Sequence, residues 1–140
     1  MPLLFDSDYE HLKEIGQNFA EDEKNRFLIF KDLPLPEGQY VADGAAISFV
    51  DVLYIIPPNY NVAGGDMFWT NPMLARADGQ PIPSIGNGQA GQDSRMYDDK
   101  EYHRWSRHWN HNPWKPKVDD VRTIVDRLTW AFKYPDAKRT

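Results

Sequence analysis

The chain has no cysteine. That excludes disulfides, thiolate metal sites and a cysteine nucleophile together. No apolar run approaches the roughly eighteen residues that a membrane-spanning helix needs. Basic residues are in deficit: 16 Lys and Arg against 21 Asp and Glu give a formal net charge of −5. This sign is wrong for general affinity for nucleic acid or for anionic membrane. The opening residues, Met1-Pro2-Leu3-Leu4-Phe5-Asp6, turn acidic too early for a signal peptide, so a cytoplasmic protein is expected. No segment repeats and none has low complexity. With 140 residues, 41% of them hydrophobic, the expectation is one domain over 1–140 with a core from about 8 to 132.

Ser7-Asp8-Tyr9-Glu10 has the form of a capping box. Leu12, Ile15 and Phe19 follow at helical spacing, so a short amphipathic helix is expected over about 8–20, weakened by Gly16. Glu21 to Glu23 reads as a solvated connection. Phe27-Leu28-Ile29-Phe30 reads as a strand, ended by Pro34, Pro36 and Gly38. Ala46 to Ile56 is the strongest strand signal, because apolar residues alternate onto both of its faces and a central strand is covered on both sides. Asp51 is the one charge within it and reads as a turn or edge effect. Pro57-Pro58-Asn59-Tyr60 stops that strand, and Gly64 to Trp69 gives a turn and a short aromatic edge strand. Gly64-Gly65 is no phosphate loop, since no Gly-Lys-Ser/Thr follows. Residues 71–101 combine Gly and Pro with few large apolar side chains, which predicts a long irregular loop. Val121, Ile124, Val125, Leu128 and Phe132 then recur at helical spacing behind Asp119-Asp120, which predicts a helix over about 119–132. Helix, strands, loop, helix is the order of an α+β domain with an antiparallel meander.

The densest stretch is Tyr102 to Pro116, which holds His103, His108 and His111 together with Trp105, Trp109 and Trp114. Arg, His, Asn and Pro interrupt any apolar period there, so a functional surface is expected in place of core. Three imidazoles in one stretch could hold a transition metal, which keeps a metal-dependent hydrolase on His103, His108 and His111 as an alternative, but the spacing lacks the His-Glu-x-x-His form, and no metal or other cofactor is expected. Ser106 and His108 could serve as nucleophile and base, although no Gly-x-Ser-x-Gly elbow surrounds the serine. The tryptophans with Arg104 and Arg107 could stack nucleic-acid bases, a reading that the acidic total opposes.

Three ordered segments carry a resemblance. They are Leu35 to Tyr40, Asp51 to Tyr60 ending in Pro57-Pro58-Asn59-Tyr60, and Asp66-Met67-Phe68-Trp69-Thr70-Asn71-Pro72. Trp105-Ser106-Arg107-His108 and Trp114-Lys115-Pro116 before Asp119-Asp120 continue it. Together, over about residues 26–132, they resemble the bacterial family E branch of the ubiquitin-conjugating-enzyme superfamily. The resemblance implies an N-terminal helix, a four-stranded antiparallel meander, a long active-site segment and a C-terminal helix. It also implies a ubiquitin-like protein and its activating enzyme as partners.

The departures from that pattern bear on function. Such enzymes carry the ubiquitin-like protein as a thioester on a Cys upstream of a Trp-x-Pro, where this chain has Ser106, Arg107 and His108. The family's His-Pro-Asn, whose Asn steadies the oxyanion, is matched only loosely by Asn71-Pro72. The usual Pro after Pro-x-x-Tyr is Asn61. Two outcomes stay open. Ser106 or His108, with Asn71, could carry an acyl group, or the chain could be a non-catalytic adaptor. The adaptor's contacts would come from Trp105, Arg107, Trp109 and Trp114, with Asp66 and Trp69 of the Asp-Met-Phe-Trp motif. Trp and Arg are the residues that interfaces favour at hot spots.

Overall fold

The computed structural model describes residues 2–65, 67–85, 94–107, 109 and 112–136. Helix α1 spans Asp6–Glu14, shorter than the 8–20 expected. Its stop is a Schellman turn: Gly16 sits at φ 69°, its N–H donates to the Lys13 carbonyl, and the Gln17 N–H reaches the Leu12 carbonyl at 2.9 Å. Only glycine takes that left-handed position without cost. The helix also starts earlier, with Phe5 in place of Ser7 as N-cap, and Asp8 rather than Glu10 supplies the carboxylate that reaches back to it. The acidic stretch that follows belongs to strand β1 (Phe19–Asp22), where Glu21 accepts a hydrogen bond from the Tyr9 hydroxyl at 2.6 Å.

Strands β2 (Phe27–Pro34), β5 (Phe49–Ile55) and β6 (Phe68–Asn71) complete an antiparallel meander with β1, in the order β1-β2-β5-β6. The same sheet continues through β9 (Lys100–Trp105) to β8 (Arg95–Tyr97), giving six strands among the described residues. A small second sheet orders β4 (Ala45–Ala46), β3 (Tyr40–Ala42) and β7 (Ala75–Arg76). The stretch 71–101 is therefore not mostly irregular. It holds β7, a 3₁₀ turn at Pro83–Ile85, the short strand β8 and the start of β9. Asp51 lies in central strand β5 opposite Asn71, and not at an edge. Its carboxylate accepts the Asp32 N–H at 2.9 Å, where β2 bulges, and meets Lys31 Nζ at 3.3 Å.

Both helices pack on one face of the sheet. Leu12 from α1 joins Ile124, Leu128 and Phe132 from α2 (Val121–Lys133) in one core with Leu28, Phe30, Val52, Tyr54, Phe68 and Trp105. Alternation sends Phe27, Ile29, Leu53, Trp69 and Tyr102 into a second cluster on the opposite face. The central strand is thus buried on both sides. The α+β order of N-terminal helix, antiparallel meander and C-terminal helix agrees with the fold that the resemblance implies, with the meander extended by two strands.

Candidate functional site

The site lies where β9 leaves the sheet and the chain crosses to α2. Trp105, the last residue of β9, is fully buried against Phe68 and Phe132, with ring centroids 5.4 and 5.0 Å away. The next residue, Ser106, is half-buried, and its N–H donates to the Ser84 carbonyl at 2.7 Å, so the 3₁₀ turn is fastened to the end of the strand.

Beyond Ser106 the chain builds a stack of indoles and guanidinium groups. Arg107, 4% exposed, lies 5.3 Å from the centre of the Trp130 ring and 5.8 Å from that of Trp109. Burial holds its pKa below the ordinary arginine value. The two indoles meet edge to face at 5.9 Å and 65°. Arg127 of α2 sits 4.9 Å from Trp109 and 5.7 Å from Trp114, and its Nη2 donates to the Asn112 carbonyl at 2.7 Å. A desolvated cation over an indole face is attracted by the ring quadrupole, so the arginines join the loop to the helix. A cavity of about 500 Å³ opens between them, lined by Trp109, Lys115, Asp119, Asp126 and Trp130.

Asn61 fixes the far end of this segment. Its carbonyl accepts Trp114 Nε1 at 2.8 Å and the Lys117 N–H at 3.0 Å, and its side-chain amide donates to the Asp119 carbonyl at 3.1 Å. Proline in its place would have no side-chain donor, so the departure from the family pattern has a use here. Trp114 packs on Gly64 so closely that a Cβ there would overlap its six-membered ring. Asp8 joins the same region from below. Fully buried, its Oδ1 accepts the Tyr60 hydroxyl and the Val121 N–H, each at 3.0 Å, and its Oδ2 accepts the Phe5 N–H at 2.9 Å.

The residues singled out from the sequence do not gather at one point. The Asn71 side-chain amide donates to the Glu101 carbonyl at 2.8 Å. Extending the register in which Phe68 faces Trp105 and Thr70 faces His103, Asn71 lies beside Tyr102. Four residues of strand separate that point from Ser106, or about 13 Å. Trp105 and Trp69 are core residues of the two sheet faces, and Arg107 and Trp109 are buried at 4% and 7% exposure. Trp114 is half-buried. The dense stretch is thus partly core after all: its strand buries Tyr102 on one face and Trp105 on the other, which erases the period-two signal. His103 is half-buried in β9 opposite Thr70. His108, His111 and Asp66 lie outside the described residues. Among the described residues no three His, Asp or Glu side chains are grouped as metal ligands.

Residues that the sequence did not single out are Asp8, Asn61, Arg127 and Trp130. Asn61 alone left a signal, as a departure from the family pattern. Exposed apolar side chains occur beside these ties: Phe5 at 50%, Val62 at 47% and Val118 at 70% exposure. No helix among the described residues is long and apolar enough to cross a membrane. A family model, prokaryotic E2 family E, matches residues 4–134. No curated protein and no solved structure matches the chain.

Proposed function

The chain belongs to prokaryotic E2 family E, and from that premise we propose that it is a non-thioester adaptor of a bacterial ubiquitin-like conjugation pathway. It binds the activating enzyme or the ubiquitin-like protein and carries neither as a thioester. The observation that carries this reading is the absence of cysteine from a chain of an E2-like family. A thioester needs a thiol.

The geometry around the substitute residues supports the same reading. An acyl group on Ser106 would need donors directed at its developing oxyanion. The Ser106 N–H is committed to Ser84, and Asn71 is committed to Glu101 at the other end of the strand pair. An oxyester also transfers to amines less readily than a thioester, because an alkoxide is the poorer leaving group.

The contact surface in this reading is built on the tied loops. Phe5, Val62 and Val118 present apolar area to a partner, and Trp114, bonded to the Asn61 carbonyl, braces the turn beside Val62. Lys115 and Lys117 flank it with positive charge.

The test incubates the purified chain with an activating enzyme, a ubiquitin-like protein and ATP. Intact mass then reports adducts, and size exclusion reports complexes. The adaptor reading expects co-elution with one partner and no covalent adduct. An adduct that disappears in Ser106→Ala or His108→Ala and is cleaved by hydroxylamine would replace the adaptor with a non-cysteine acyl carrier.

A further inference from the structure

A second cavity lies at the C-terminal end of α2, where that helix meets the small sheet. Its volume is about 700 Å³, and its walls include Gln39, Arg76, Trp130, Lys133, Tyr134 and Asp136. Trp130 also lines the cavity beside the crossing segment, so one indole is common to both. Arg76 of β7 has a side chain only 15% exposed. Its Nε and Nη2 donate to the two oxygens of Asp78 at 3.0 and 2.5 Å, and its Nη1 donates to Asp136 Oδ1 at 2.5 Å. The two carboxylates are held differently. Asp78 grips the guanidinium as a fork and also accepts the Gln80 N–H at 3.0 Å. Asp136, beyond the end of α2, offers one oxygen and is 69% exposed. Beside this pair, the Tyr134 ring is 46% exposed and lies 5.0 Å from that of Trp130 and 5.8 Å from Lys133 Nζ.

We propose that this cleft is a binding site for a single carboxylate joined to an aromatic or large apolar body, and that Asp136 holds the carboxylate position until such a ligand takes it. With one edge of the guanidinium engaged by Asp78, the edge that carries Nη1 is left for a second planar anion, and Asp136 shows that a carboxylate fits there. Exchanging one carboxylate for another keeps the charge at Arg76 balanced and leaves no partly buried cation without an anion, the outcome that makes opening such a pair costly. The body of the ligand covers Trp130 and Tyr134, whose flat rings supply the apolar area. Glu37 and Asp78 share the wall with Arg76 and Lys133, so a dianion such as a phosphate monoester is disfavoured. A tethered carboxylate competes at an effective concentration on the order of millimolar, which weakens the parent chain for a free ligand. The site does not depend on the adaptor reading.

The experiment titrates N-acetyl-phenylalanine into the full chain labelled with nitrogen-15, with the corresponding primary amide as the uncharged control. The Trp130 indole N–H reports from one wall and the Arg76 Nε–H from the other. The acid is expected to shift both signals and the amide neither. Asp136→Ala removes the internal carboxylate from an exposed position and should tighten the acid by about fivefold or more. Arg76→Gln should abolish the shifts. An acetylated tetrapeptide of three alanines ending in phenylalanine distinguishes two sources of the same chemistry. Tighter binding than the single residue identifies a peptide C-terminus as the ligand, and equal binding identifies a small acid. Acid and amide binding alike would overturn carboxylate recognition. An acid affinity unchanged in Asp136→Ala, or no binding of the acid by either the parent or that variant, overturns the site even if Arg76→Gln fails to fold.

Discussion

At the scale of single residues, close approach and burial give the clearest consequences. Gly64 lies under the Trp114 ring, and a methyl group there has no room. Gly64→Ala should therefore cost about 1–3 kcal/mol as the ring is pushed from its seat. Denaturant unfolding followed by tryptophan fluorescence measures this, and an unchanged midpoint would contradict the packing. Two phenols set the alkaline limit. Burial and then the hydrogen bond to Glu21 push Tyr9 up to about 12, and burial with the nearby Asp51 charge does the same to Tyr102. Burial raises Tyr40 and Tyr60 in the same direction. A raised folded-state value means that the native state holds its proton more tightly than the unfolded chain, whose tyrosines titrate near about pH 10. The stabilisation is complete below that pH and is lost as pH rises toward 12. Phenolate absorbance should appear together with loss of far-ultraviolet dichroism, and Tyr9→Phe should make the fall shallower. Gly64, Tyr60 and Tyr102 fall in stretches that the sequence marks, but their contacts do not show there. A glycine beneath a tryptophan fifty positions away and a carboxylate serving three distant donors are tertiary facts, and local pattern contains no trace of them.

At the scale of elements, legibility followed the period of the apolar residues. Helix α2 was readable within a residue or two, because Ile124, Leu128 and Phe132 repeat on one face and Asp120 caps it. The Asp120 side chain accepts the Arg122 N–H at 2.9 Å, so Asp120→Ala should lower stability by about 1 kcal/mol in thermal or urea melts. Burial alone would raise the Asp120 pKa, but the hydrogen bonds from Arg122 outweigh it and the net shift is downward. The cap is therefore worth most above about pH 4 and weakens as the pH falls further. Apolar residues on both faces mark strand β5, although it begins at Phe49 and Ala46 belongs to β4. Strand β9 is not legible, because a strand buried on both faces by Tyr102 and Trp105, with His103 and Arg104 between them, shows no alternation. Helix α1 is shorter than its apolar spacing suggests because Phe19 falls at helical spacing by coincidence, after Gly16 has turned the chain.

At the scale of the whole molecule, the small second sheet, the 3₁₀ turn and the segment crossing from β9 to α2 form one assembly. Ser84 holds the end of β9, Tyr40 and Gln39 of the small-sheet region donate to the Phe132 carbonyl at the end of α2, and Arg76 of β7 pairs with Asp136 beyond it. Arg127 is the central link between the crossing segment and α2. Arg127→Lys keeps the charge but loses the flat guanidinium that lies between Trp109 and Trp114. Amide exchange at residues 112–119 should quicken by an order of magnitude or more, while the strands of the meander keep their protection. The edge-to-face pair of Trp109 and Trp130 gives the same event an optical signature. Two indoles held 5.9 Å apart at 65° share their electronic excitation, and a fixed chiral pair of that kind produces a split band in far-ultraviolet circular dichroism, where the strong indole transition lies. The chain thus carries its own reporter beside the proposed binding surface, and a partner that shifts the crossing segment would register as a change in that band without any label attached.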